Sequence, residues 1–282
     1  MAATTIFPPL ELDDWEPTRD ALWGYARCLG SIRRALVDPA RHWSHVSLTV
    51  GTRGPTTGPL KTAGDRFELR LDIRNAQVVL DSESGRAWAG HLPGTPFEEI
   101  LDRVQGWISR TGGESPLDMD LPESVAGTGY DQAAAERYWS ALSRIEAVFA
   151  AFAGGLRGET HGPQLWPHHF DLAVLWLSGR QVPGEDPEDE EAADESMNFG
   201  FSTGDEGIPN PYFYVTAYPQ PESFETTQLP PGAKWHTQGW SGARLDYAEL
   251  ISTEDPGARL LTFLTHVQRA GAESMAAHAS DV

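Results

Sequence analysis

Two short phrases carry most of the residues able to do chemistry. Nine histidines occur in the chain, and four sit in His42-Trp43-Ser44-His45 and His168-His169-Phe170-Asp171, with His161 just upstream of the second phrase. Each phrase lies in a stretch that reads as a strand, Arg41 to Val50 and His168 to Trp176. Side chains alternate along a strand, so His169 and Asp171 are expected on one face and His168 on the other. If the two strands are equivalent, His45 takes the place of Asp171 and Trp43 that of His169. His45, His169 and Asp171 would then converge. Two imidazoles and a carboxylate are a ligand set for a divalent transition metal. A metal held so would polarise a carbonyl or acidify a bound water. Without metal, His169 and Asp171 form a general-base pair that needs no third ligand. Strand histidines also serve as hydrogen-bonded core residues, with Asp171 only orienting His169. His42 and His168 share the opposite face and are the alternative set if the register shifts by one.

A second group is aromatic. In Tyr212–Tyr218 the side chains of Tyr212, Tyr214, Thr216 and Tyr218 share a face, opposite Phe213, Val215 and Ala217. A polar-tipped aromatic face suits a small-molecule pocket, and it equally suits a sheet packed under a helix. Trp235 and Trp240, amid Gly and Gln, would rim a pocket or anchor a loop. The run from Glu185 to Glu195 is mostly acidic, which reads as a solvated loop. Asp194 and Glu195, abutting the next strand, are its candidates for reaching a site.

The elements around these phrases fall into two similar series. Leu22, Tyr25, Leu29, Ile32 and Leu36 mark one helix face, ended by Asp38-Pro39. Phe67, Leu69, Leu71 and Ile73 alternate with charged residues, the pattern of a half-buried strand. Gln77–Leu80 and Arg86–Ala89 flank a turn at Ser82–Gly85, and Phe97–Ile108 is a second helix. After a Gly/Pro/acid-rich linker the order repeats. A helix spans Asp131–Ala153, strands follow near Met197–Phe201, Tyr212–Tyr218 and Ala243–Tyr247, and a helix spans Ala258–Ala270. The expected fold is therefore α+β. The halves are residues 1–110 and 131–282, joined by a linker at 111–130, with an acidic insert at 183–196. Trp23 and Trp139, each early in the first helix of its half, suggest internal duplication, with sheets central and helices outside.

Composition narrows the partners. The chain has 282 residues and a formal charge of −20. Such a surface repels phosphate backbones and anionic headgroups, so nucleic acid and membranes are not expected partners. The single cysteine, Cys28, excludes an intramolecular disulfide and Cys-x-x-Cys metal motifs. No phosphate loop or Gly-x-Ser-x-Gly elbow is present. Met1–Leu10 lacks the basic-then-apolar pattern of a signal peptide, and the reading is a cytoplasmic protein. Composition leaves the oligomeric state open.

Three phrases, Arg41-His42-Trp43-Ser44-His45-Val46, Gln164 through Ala173 and Pro211 through Pro219, resemble the bacterial family catalogued as domain of unknown function 5996. The resemblance covers nearly the whole chain and brings no established activity. From the residues themselves, the leading expectation is a small-molecule enzyme centred on His169, Asp171 and His45, in a cleft between the halves. Trp43, Tyr212, Tyr214 and Tyr218 would contact substrate. The rival is a non-catalytic binding or interaction protein with a tyrosine-lined face.

Overall fold

A computed structural model describes residues 7–112, 129–189, 191–221 and 224–280. The architecture is α+β, with two antiparallel sheets and long helices. The expected linker at 111–130 falls almost wholly outside the described residues, as does Glu190 of the acidic insert. The described chain divides into two units that are not contiguous in sequence. One holds residues 13–112, 129–139 and 164–170; the other holds 7–12, 140–163 and 171–280.

In the first unit, α1 (Leu12–Leu36) buries Leu22, Tyr25, Leu29 and Ile32, the face its periodicity marks. The sheet comprises β1 (Thr49–Val50), β2 (Pro55–Thr56), β3 (Leu60–Lys61), β4 (Arg66–Asp72), β5 (Gln77–Ser82) and β6 (Gly85–His91). Its order is β1-β2-β4-β5-β6, with β3 also on β4. In β4 the alternation is realised: Phe67, Leu69 and Leu71 are buried. The opposite face carries Arg70 and Asp72. Asp72 is fully buried and accepts hydrogen bonds from Arg53 Nε at 2.7 Å and from the Asn75 side chain at 3.1 Å. Burial alone would push the Asp72 carboxyl up, but Arg53 and Asn75 outweigh it and hold the group below its ordinary value. Helix α2 (Phe97–Arg110) buries Phe97, Ile100, Val104 and Ile108. Phe97 meets Tyr25 of α1 edge-on at 5.1 Å.

Helix α3 (Gln132–Gly155) begins in the first unit, where Tyr138 stacks on Trp15 at 5.0 Å, and ends in the second. There the sheet runs β11-β12-β10-β9-β8-β7. In chain order these strands are β7 (Glu159–Trp166), β8 (Asp171–Gln181), β9 (Asp194–Ser202), β10 (Tyr212–Tyr218), β11 (Ala233–His236) and β12 (Gly242–Asp246). Helices α4 (Tyr247–Ile251) and α5 (Pro256–Ser280) close the chain. One face of the sheet is apolar: Phe149 of α3 lies 6.3 Å from Phe213, and Phe152 lies 4.8 Å from Phe199. At Gly271 of α5 an added Cβ would lie 2.4 Å from Met197 Cε, so glycine sets how closely this helix approaches β9.

Two expected strands are not strands where the histidines sit. Arg41–Val46 forms a 3-10 helix in which His42 and Trp43 have φ of 52° and 56°. The second phrase is a turn at residues 167–170, and β8 begins only at Asp171. Phe170, with φ of 55°, closes that turn by donating its N–H to the Trp166 carbonyl at 2.8 Å. Pro167 offers no N–H for a ladder. It is seated on α1: an added Cβ at Gly30 would lie 2.5 Å from Pro167 Cγ, and Trp23 Nε1 donates to the Pro167 carbonyl at 2.9 Å. Period-two alternation therefore does not run through either histidine phrase.

Candidate functional site

The polar face of the second sheet is where predicted site residues meet. Register places Gly200 of β9 directly between Ala173 of β8 and Tyr214 of β10. Paired residues in an antiparallel sheet share a face, so Asp171, Ala173, Ser202, Gly200, Tyr212 and Tyr214 all face away from Phe199, Phe201 and Phe213. With no side chain at Gly200, the Tyr214 ring lies flat over β9; an added Cβ would be 2.0 Å from Tyr214 Cζ. Tyr214 thereby spans a strand and donates its hydroxyl hydrogen to Asp171 Oδ2 at 2.5 Å. Asp171 is 7% exposed. Burial, then the adjacent Asp171 charge, raise the Tyr214 pKa well above that of an ordinary phenol, so the hydroxyl stays protonated at neutral pH.

A second tyrosine–aspartate pair stands beside the first. Tyr212 donates to Asp205 Oδ2 at 2.7 Å. Asp205 is positioned by its own turn, where Oδ1 accepts the N–H groups of Gly207 and Ile208 at 2.8 Å each. Burial and then Asp205 push the Tyr212 hydroxyl up as well. The Tyr212 ring stacks on Trp240 at 6.1 Å and 13°, and the Arg244 guanidinium lies 5.8 Å from the same ring. Trp240 also meets Tyr214 edge-on at 6.1 Å and His236 at 4.4 Å. Arg244 and Lys234 both donate to Asp246, at 2.8 and 2.7 Å, which neutralises part of that rim. The result is an aromatic and acidic patch with fixed hydroxyls. It can hold an apolar ring while its carboxylates take up hydrogen-bond donors.

Of the expected residues, Asp171, Tyr214 and Tyr212 are brought together. Tyr218 shares their face but is 40% exposed at the strand end, four residues and about 13 Å from Tyr214 at ordinary strand rise. His45 is buried in the 3-10 helix, where its Nδ1 accepts the Ala40 N–H at 3.1 Å and its ring stacks on Trp43 at 5.6 Å. Trp43 is 44% exposed, with Arg34 lying 5.4 Å from its ring. His168 and His169 are exposed in the 167–170 turn, their rings 4.5 Å apart. Among the described residues no group of three or more His, Cys, Asp or Glu is arranged to hold a metal ion. The left-handed residues at 42, 43 and 170 break the period-two alternation on which the expected alignment of His45, His169 and Asp171 rested. The acidic candidate Glu195 accepts a hydrogen bond from Arg180 across the β8–β9 hairpin. Asp205, Arg244 and His236 were not anticipated. The turn-rich run Thr203-Gly204-Asp205 was a signal for the first, while the others depend on strand register. Trp240 rims the patch, and Trp235 anchors a loop through Thr227 at 3.0 Å and Phe224 at 4.9 Å.

A chain of this class, two antiparallel sheets with a tyrosine–aspartate face on the second, has a family. Residues 7–281 match the model of a family of unknown function (DUF5996), and the chain belongs to that family. No curated protein and no solved structure matches it. Among the described residues no helix is long and apolar enough to cross a membrane.

Proposed function

We propose that this chain binds a small molecule on the polar face of β8, β9, β10 and β12, with Asp171 and Tyr214 at the centre and Tyr212 and Trp240 as an aromatic wall. One observation carries the reading: a buried carboxylate is held by a protonated tyrosine hydroxyl laid across Gly200, beside stacked rings. A sheet needs no such arrangement merely to pack, since its apolar face already does that work. Such a patch recognises an apolar or aromatic body bearing a hydrogen-bond donor. A catalytic use of the same site would rest on Asp171, a carboxylate able to accept a proton from a bound ligand.

Three wider readings accompany this proposal. The −20 charge favours a cytoplasmic protein with neither nucleic acid nor membrane as partner. The order of long helix, antiparallel sheet and closing helix, met twice, favours an origin by duplication. The closeness of Tyr212, Tyr214, Trp240 and Asp171 on neighbouring strands favours a small molecule as the ligand.

The test is a thermal-shift screen of a small-molecule library against wild type, Asp171→Asn and Tyr214→Phe. Compounds that stabilise wild type and lose about tenfold or more in affinity in both variants support the site, the loss expected for a hydrogen bond to a charged group. Compounds that bind all three proteins equally overturn it. Elemental analysis of tag-free protein runs beside the screen. Stoichiometric metal that disappears in His169→Ala and Asp171→Ala, with both still folded, would replace this reading with a metal-dependent one.

A further inference from the structure

A second surface, in the other unit, carries its own ligand chemistry. Helix α2 presents Asp102, Arg103, Gly106, Trp107 and Arg110 along one stripe, at helical spacings of three and four. With Trp88 and its neighbours on β5 and β6, this stripe lines a groove of about 300 Å³. That volume lies at the small end of ligand pockets.

Two polar groups of the groove are left without a partner by packing alone. The Trp107 Nε1–H is buried and has no hydrogen-bond acceptor among the described residues. Buried indole donors ordinarily find one. Arg110 forms no ion pair among the described residues; its guanidinium lies 5.5 Å from the Trp107 ring. Arg103 differs, because its charge is met by Glu99 at 3.0 Å while it lies 5.7 Å from the Trp88 ring. The groove therefore has one guanidinium paired with Glu99, one without an ion pair that lies over the Trp107 ring, an indole N–H without an acceptor among the described residues, and indole walls. Gly106 leaves the floor open, since an added Cβ there would contact only Arg110, at 3.5 Å.

The geometry points to a binding site for a small aromatic monocarboxylate. The carboxylate pairs with the exposed Arg110, whose shift off the Trp107 ring opens the Nε1–H to it, and the aromatic ring lies against Trp88. Arginine is suited to this, since its planar fork matches a carboxylate. Asp102 sets the charge limit. It also forms no ion pair among the described residues, and it stands eight residues from Arg110, about 12 Å along the helix. A ligand with a second anionic group at its far end would meet that carboxylate and be repelled. This site is independent of the Asp171–Tyr214 patch.

The experiment is isothermal titration of the full chain with 2-naphthoate, its neutral amide 2-naphthamide, and 2,6-naphthalenedicarboxylate. The proteins are wild type, Arg110→Gln, Trp107→Phe and Tyr214→Phe, each checked for an unchanged melting curve. Wild type is expected to bind 2-naphthoate saturably, and both the amide and the dicarboxylate at least about tenfold more weakly. Arg110→Gln and Trp107→Phe should each weaken 2-naphthoate by about tenfold, and Tyr214→Phe should leave it unchanged. No saturable binding to wild type overturns the proposal. So does equal binding of acid and amide, or a loss in Tyr214→Phe that Arg110→Gln does not share. Should Trp107→Phe fail to fold, the exposed Arg110→Gln decides the matter alone.

Discussion

At the scale of single residues, buried acids in this chain are stabilised by donors brought from elsewhere in the fold, and the cost of losing those donors is calculable. Asp72 is the clearest case. Its folded carboxyl titrates below its unfolded value, so the unfolded chain takes up the proton first as pH falls. The stabilisation is present in full above the unfolded carboxylate range, near pH 4, and is lost as pH drops through the folded value. Asp72→Asn should therefore cost about 1–2 kcal/mol at pH 7, the size of charge-assisted hydrogen bonds reduced by the exposure of Arg53. The gap to wild type should shrink in urea unfolding at pH 3.5. A gap that does not change with pH would show that Asp72 acts through packing instead. Gly200→Ala tests the other acid. Its methyl group would occupy the space of the Tyr214 ring. Wild-type affinity for ligands of the patch should then fall as far as in Tyr214→Phe, although neither Asp171 nor Tyr214 is altered.

At the scale of elements, the histidine turn shows packing overruling local preference. Gly30 lies mid-helix in α1, where alanine is ordinarily favoured by roughly 1 kcal/mol. The methyl group would, however, meet Pro167 at 2.5 Å, and overpacking of that kind costs about 1–3 kcal/mol. The clash wins, so Gly30→Ala should lower stability by about 1–2 kcal/mol in denaturant unfolding. A gain would mean that the 167–170 turn yields easily, and that its left-handed residue is not firmly held. The same contact explains why a proline, useless to a strand ladder, is placed next to β8: it wedges the turn against α1, and Trp23 secures its carbonyl.

At the scale of the whole molecule, buried phenols are spread through both units. Burial raises Tyr25 and Tyr130 in the first unit, and Tyr212, Tyr214 and Tyr247 in the second. In the unfolded chain these groups ionise near pH 10. The stability they contribute is complete below that pH and drains away as pH rises from there toward their folded values. Circular dichroism followed from pH 9 to pH 12 should show cooperative unfolding accompanied by phenolate absorbance. Phenolate appearing with a midpoint near 10 while the fold persists would mean that these hydroxyls reach solvent. The acidic surface adds to this sensitivity, because deprotonation increases a self-repulsion that is already large.

What the amino-acid sequence determined by itself was local. Tyr212–Tyr218 is a strand at the predicted bounds, Phe67, Leu69 and Leu71 are buried as their alternation requires, and α2 buries the face its periodicity marks. Each of these depends on neighbours within a few positions, where burial of one side of an element imposes a period. The phrases shared with the family were legible for the same reason. Tertiary structure decided which residues of the site meet. Nothing local announces that His42, Trp43 and Phe170 take left-handed backbone angles, for none is a glycine and the conformation is held by packing around the turns. Those angles interrupt the alternation that the reading of His169 and Asp171 as face-sharing strand residues assumed. Tyr214, whose hydroxyl donates to Asp171, lies 43 positions away. Only the register of β8, β9 and β10, with a glycine in the middle strand for the ring to cross, brings that hydroxyl to the carboxylate.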